Sequence, residues 1–293
     1  MSFFHLLLLL SVIAIWGFNF VAVKTGLDGI PPIFLCFARF LFCLPALFFI
    51  ARPRVPFRNI AAYSFVMFVL QFSLLFIAMR SGITAGLASI LLQFQAFFAM
   101  AFAVFFMGET YHLKQLVGAI VALFGILIIA MHIGGDITLL GLILVLSAAV
   151  MWAAGSVMAK KMKSNGISLV VWSSLFACPP LLIFSFLLEG SEAIRVCIQN
   201  LSLIHLGAVS YIAYFSTLFG FGIWNWLLQY YPLSKLSSFT LLIPIFGMLG
   251  SAMFLGEALP WWKIAAAGLI VGGVGINVLA AQHSKSLGKT RDC

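Results

Sequence analysis

The chain has 293 residues, of which 64% are hydrophobic and only 8% charged, with a formal net charge of +9; its mean hydropathy is +1.19. These values exclude an ordinary soluble domain and define a polytopic membrane protein. Retention of Lys and Arg beside anionic lipid accounts for the positive charge, so no nucleic-acid partner is expected.

A membrane-spanning helix needs about 20 mainly apolar residues. Cutting the chain at its charged and Pro/Gly-rich breaks predicts ten spans. In order they are Phe4 to Val23, Pro31 to Ala51, Ile60 to Met79, Thr84 to Met107 and Leu113 to Met131, then Thr138 to Ala159, Ser168 to Leu188, Ile204 to Gln229, Leu236 to Leu255 and Trp261 to Ala281. Period-2 alternation is missing, so helices rather than barrel strands are expected. The first apolar run has no Lys or Arg before it and no small-residue cleavage site after Trp16, and it reads as a retained span. The loops are short.

Short loops rich in Lys and Arg stay in the cytoplasm. With the N-terminus inside, the cytoplasmic segments hold eleven of the sixteen cations and the opposite face holds four, Lys24, Arg80, Arg195 and Lys263, while Arg39 lies within the second span. Both termini are therefore predicted to be cytoplasmic.

Two halves echo each other. Trp16, Lys24, Gly108–Glu109, Lys114, Gly118 and Gly125 are matched by Trp152, Lys160, Gly256–Glu257, Lys263, Gly268 and Gly273. The Trp pair is offset by 136 and the Glu pair by 148, a difference of 12 that the polar segment Glu189 to Asn200 can absorb. Five spans per copy is odd, so the second copy enters the membrane from the opposite side. The expected fold is all-α, ten helices arranged as two inverted five-helix repeats, residues 1–135 and 136–293, with a site at their interface.

The candidate chemistry is sparse. Trp16 and Asn19 share one face of the first span; Gln71 sits in the third, Gln93 and Gln95 in the fourth, Trp152 and Ser156 in the sixth, and Tyr211, Trp224 and Asn225 in the eighth. Buried amides need partners, so these side chains face protein or a wet cavity rather than lipid. Gln93 and Gln95 are about 200° apart on a helix, so at most one faces a cavity squarely. Arg39, about 12 Å into its span, is a functional candidate or a structural Arg satisfied by helix-end carbonyls and polar groups. Glu109 and Glu257 read as helix-end residues paired with nearby Lys, with gating as the alternative, and Pro179, Pro180 and Pro244 as span interruptions. Gly82-x-x-x-Gly86 and Gly268-x-x-x-Gly272 read as helix-packing patterns.

Five Cys without a CxxC pair and five scattered His give no metal or disulfide motif, and no cofactor is expected. All seven acids fall at span ends, in loops or in the tail. A proton relay would want acids or His at depth, so substrate is expected to run down its own gradient.

WGFNFVAVKTGL (Trp16 to Leu27), PPIFLCFARF (Pro31 to Phe40), ARPRVP (Ala51 to Pro56), AGLASILLQFQAFF (Ala85 to Phe98) and GETYHLKQLVGAIVALFGI (Gly108 to Ile126) resemble the EamA family of the drug/metabolite transporter superfamily. GFGIWNWLL (Gly220 to Leu228) and LIPIFGMLGSAMFLGE (Leu242 to Glu257) continue the resemblance more loosely. It implies a two-repeat secondary transporter working by alternating access, with Trp16, Asn19, Gln71, Gln93, Gln95, Trp152 and Trp224 at motif positions around a central cavity. The substrate class it implies is small amino acids or derivatives of the cysteine and O-acetylserine kind, handled by a monomer or homodimer. The alternatives are proton-coupled efflux of drugs or other metabolites, and a membrane enzyme acting on lipid-linked substrate.

Overall fold

The computed structural model describes residues 2–107, 113–133, 137–162, 164–231, 236 and 238–289, and no strand occurs among them. Helix is what hydrocarbon demands, since a lipid-facing backbone has no water to bond. Six helices are long and apolar enough to cross a membrane. They are α1 (Phe3–Leu27), α3 (Phe57–Arg80), α4 (Ala85–Phe106), α6 (Leu139–Met162), α7 (Gly166–Leu188) and α9 (Leu203–Leu227). Helices with shorter apolar stretches complete the set: α2 (Pro32–Leu41), α5 (Leu113–Ala130), α10 (Ile243–Leu255) and α11 (Trp261–Lys289, apolar over Trp261–Ile276). One more, α8 (Ser191–Gln199), exposes Glu192 and Arg195 together with Val196 and Ile198, and buries Ile194 and Cys197. It occupies the stretch read from sequence as an insertion.

Several spans are less regular than expected. The stretch Pro31 to Ala51 is not one helix: α2 ends at Leu41 and a 3₁₀ turn covers Leu44–Phe48. Pro45 explains the break, because it lacks an N–H and disfavours α geometry in the residue before it. By contrast, α7 runs through Pro179 and Pro180 without interruption. Pro244 sits where the expected span Leu236 to Leu255 changes from a 3₁₀ turn to α-helix. It is buried in the first turn of α10, after a 3₁₀ turn at Ser238–Leu242, where a missing N–H leaves no intrahelical bond unmade. Two π-helical segments, Phe65–Leu70 in α3 and Tyr211–Phe219 in α9, have no Pro or Gly to announce them.

Small residues set the closest helix crossings, as expected where helices cannot gain by expelling water. A Cβ on Gly17 of α1 would stand 2.9 Å from the Ile243 carbonyl oxygen of α10, and one on Gly125 of α5 would stand 2.9 Å from that of Ala266 on α11. Gly86 likewise meets Ser251 of α10. The other predicted packing glycines behave differently: Gly268 and Gly272 face open space, and Gly273 takes the contact with Gly118 and Ala122. Gly82 is a turn residue with φ of +109°, a conformation that disfavours a Cβ.

Charged side chains at the membrane edges serve helix ends. Lys24 of α1 donates to the Met79 carbonyl at the end of α3 (3.1 Å), and Arg80 of α3 donates to the Leu27 carbonyl at the end of α1 (2.8 Å). The carboxylate of Glu257, just past α10, accepts from the N–H groups of Ala85 and Gly86 at the start of α4 (2.7 and 3.1 Å). Glu189, at the end of α7, does the same for Ile33 and Phe34 at the start of α2 (2.6 and 3.0 Å) and also accepts from the Ser185 hydroxyl. The pairing of Glu257 with Lys263 is thus not what forms; Lys263 donates to the Ala258 carbonyl at 3.1 Å. A helix start offers a carboxylate two aligned orphan donors and a favourable dipole, which a single flexible ammonium cannot match. Glu109, the other acid of the matched pair, lies outside the described residues. Among those residues the ion pair that forms is Glu192–Arg195, on exposed α8.

Candidate substrate site

The π segment of α9 gathers the polar contacts of the molecular centre. A π turn disturbs the regular i→i−4 ladder and leaves backbone groups for other partners. Trp16 of α1 donates its indole N–H to the Ser216 carbonyl at 3.0 Å, and Tyr211 returns a bond from its hydroxyl to the Ile15 carbonyl at 3.0 Å. Next to Ser216, Thr217 accepts from Arg39 Nε at 3.0 Å and donates to the Ile212 carbonyl at 2.7 Å. The segment therefore joins α1 and α2 through adjacent residues.

Aromatic rings extend this centre in both directions. Trp16 packs against Phe221 and Trp224, each with ring centroids 5.4 Å away. The Arg39 guanidinium lies 4.1 Å from the centroid of the Phe72 ring, and Trp152 meets the same ring edge-on at 6.4 Å. Phe72 directly follows Gln71, where the π segment of α3 returns to α-helix. Three of the predicted residues, Trp16, Trp152 and Trp224, are linked to Arg39 through residues of α9 and α3.

The amides are buried but under-used. Gln71 is fully buried, and neither its Oε1 nor its Nε2 has a hydrogen-bond partner among the described residues. Asn19, 7% exposed and one turn beyond Trp16, has an unpartnered Oδ1. Arg39 is 2% exposed and its Nη1 is unpartnered. Gln93 is buried within a 3₁₀ turn at Leu92–Phe94, while Gln95 is half-buried just beyond it. That turn shifts the register between the two, so the spacing of a regular helix does not apply.

A cavity of about 420 Å³ lies elsewhere, between α1, the first half of α9 and Phe254 of α10. Phe18, Val21, Ala22, Ile204, Ala208 and Phe254 make it almost wholly apolar, and of the candidate residues only Tyr211 lines it; Trp16, Asn19, Gln71, Gln93, Gln95, Trp152 and Trp224 do not. Its chemistry suits hydrocarbon. Sequence reasoning missed Thr217, Ser216 and Glu189. A lone hydroxyl residue in an apolar run carries no mark of what it bonds, whereas Glu189 could have been found as an acid closing a span.

An all-helical, multi-pass membrane protein with polar side chains converging at its centre is the architecture of a membrane transporter. Comparison with known proteins gives the family: the EamA-like transporter family matches residues 3–131 and again 139–279, and the chain belongs to it. A "probable amino-acid metabolite efflux pump" of Salmonella typhimurium (strain LT2) is 39% identical over 92% of this chain and 93% of its own length. A protein of the same description from Escherichia coli (strain K12) is 37% identical over 96% of both chains. A solved protein structure covering 97% of this chain and 99% of its own superposes with a TM-score of 0.62 at 16% identity, which is a likeness of fold.

Proposed function

We propose that this protein is an inner-membrane exporter of small amino acids or their derivatives, working by alternating access around the π segment of α9. The observation that carries the reading is the convergence on that segment of Trp16 and Arg39, with Trp224 against Trp16. Indole faces favour an ammonium group, and amide and guanidinium donors favour a carboxylate. The description of the two relatives as amino-acid metabolite efflux pumps supports this substrate class.

In this reading the chain crosses the membrane ten times as two inverted repeats, with both termini in the cytoplasm. The double family match at 3–131 and 139–279 supports two repeats. So do the π segments: Phe65 and Tyr211, which open them, are 146 residues apart, close to the 148 that separates Glu109 from Glu257. Glu189 and Glu257 then belong to the second repeat and clamp α2 and α4 of the first at the face away from the cytoplasm. Substrate runs down its own gradient, since every acid lies outside the spans' interiors.

The test is transport by purified protein in liposomes loaded with labelled cysteine or O-acetylserine. Substrate-gradient-driven exchange by the wild type, lost in Trp16→Ala and Asn19→Ala at normal insertion, is the expected result. No exchange of any amino acid by the wild type would refute the reading. Robust uphill movement driven by a pH step alone would refute its energetics.

A further inference from the structure

We propose that Arg39 is the carboxylate anchor of the transported molecule, engaging it through Nη1 in a conformation in which α9 has shifted at its π segment. The inference rests on the exporter reading above and adds to it the group on the substrate that the protein must find.

Arg39 carries a full charge at 2% exposure inside a membrane-spanning region. Among the described residues no carboxylate pairs with it. Its satisfaction is incomplete and lopsided. Nε donates to Thr217 Oγ1 at 3.0 Å, and the guanidinium plane is covered by Phe72 at 4.1 Å and Phe40 at 5.7 Å, yet Nη1 has no acceptor. The nearby thiols do not supply one: Cys43 donates to the carbonyls of Arg39 itself and of Ala213, at 3.3 and 3.6 Å. A structural Arg would use its donors on helix-end carbonyls, as Arg80 does on Leu27. Leaving a cationic N–H unpaired in a low-dielectric interior is strongly unfavourable, and retaining it is explained if an anion visits.

The helices packed on α2 carry groups that suit a zwitterion rather than an inorganic anion. Gln71 Oε1 and Asn19 Oδ1 are buried acceptors without donors, which an ammonium group supplies three at a time. Gln71 precedes Phe72, the ring under the guanidinium, and Asn19 follows by one turn Trp16, whose indole bonds the residue next to Thr217. A molecule carrying both charges would satisfy an unpaired donor and unpaired acceptors together. Thr217, which holds Nε, lies on α9 where the helical hydrogen bonding is already irregular and bonds back to Ile212, five residues earlier.

The experiment uses full-length protein in liposomes with two probes under reducing conditions: cysteine, and cysteamine, which is the same molecule without the carboxylate. Competition against labelled efflux gives an apparent affinity for each. In the wild type cysteamine is expected to be at least about tenfold weaker than cysteine. In Arg39→Gln, cysteine should lose roughly ten- to a hundredfold, falling to the level of cysteamine, while cysteamine is unchanged, as befits one lost charge-assisted hydrogen bond. Arg39→Lys should retain part of the preference. Thr217→Val, which keeps the charge but removes the acceptor holding Nε, should weaken cysteine alone; it stands in for Arg39→Gln should that variant fail to fold. Equal weakening of both probes, or cysteine affinity unchanged in Arg39→Gln, overturns the anchor. Equal affinity of the wild type for both probes overturns it while leaving an exporter, and a wild type that moves neither overturns the exporter reading and the anchor with it.

Discussion

The edges of the membrane region and its centre treat charge in opposite ways. At the edges Glu189, Glu257, Lys24 and Arg80 each meet a helix end, where orphan N–H or carbonyl groups complete the pairing. At the centre Arg39, Gln71 and Asn19 are more deeply buried and keep unpartnered atoms. Burial raises the penalty for an unmade bond, so a purely structural design would show the reverse distribution. The contrast is what the proposed site requires: some groups hold the helices together, and others are left to meet a ligand.

Breaking an edge contact should cost stability most. Glu257→Ala and Glu189→Ala each leave two backbone N–H groups without their carboxylate, and a loss of about 1–3 kcal/mol is expected for each. Glu→Gln at either position keeps one acceptor oxygen and should lose less. Thermal melting of purified protein in detergent, read as a shift in Tm, checks both. Equal Tm for wild type and the two Ala variants would remove the clamps from the account. The smallest effect is expected at Glu192, whose partner Arg195 is exposed on α8. Such a pair in high dielectric contributes little, so Glu192→Ala should leave Tm and transport unchanged, and a clear fall in either would show that α8 has a role beyond covering Ile194 and Cys197.

The sequence displayed the helical fold openly, because hydropathy integrates over some 20 residues and tolerates local error. Stretches read as spans carry helices α1, α3 and α4, with ends displaced by a few residues. What escaped was local. The π segments at Phe65–Leu70 and Tyr211–Phe219 arise from how neighbouring helices pack on an uninterrupted apolar run, and apolar side chains do not reveal hydrogen-bond register. The break after Leu41 was visible in Pro45 but was outweighed by the apolar run around it. For the site, Trp16 and Trp224 were legible as intramembrane indoles and do meet. The bonds of Trp16 to Ser216 and of Arg39 to Thr217 were not legible, since these partners lie 200 and 178 residues away. Glu257 was identified as a helix-end residue, yet its partner was misassigned: charge counting looks for an opposite charge and overlooks backbone amides. Glu189 was hidden in a segment treated as an insertion.

Gln71 gives the most direct test of the claim that the centre is kept for a ligand. Gln71→Leu removes an amide with neither of its atoms partnered and replaces it with a side chain of similar size that makes no demand for hydrogen bonds. Melting and liposome exchange of labelled amino acid are measured on the same preparation. The account predicts that Tm rises, by the equivalent of about 1 kcal/mol, while exchange falls at least about tenfold. A lower Tm with exchange lost only in proportion to folded protein would make Gln71 a structural residue, and a raised Tm with undiminished exchange would place the substrate elsewhere.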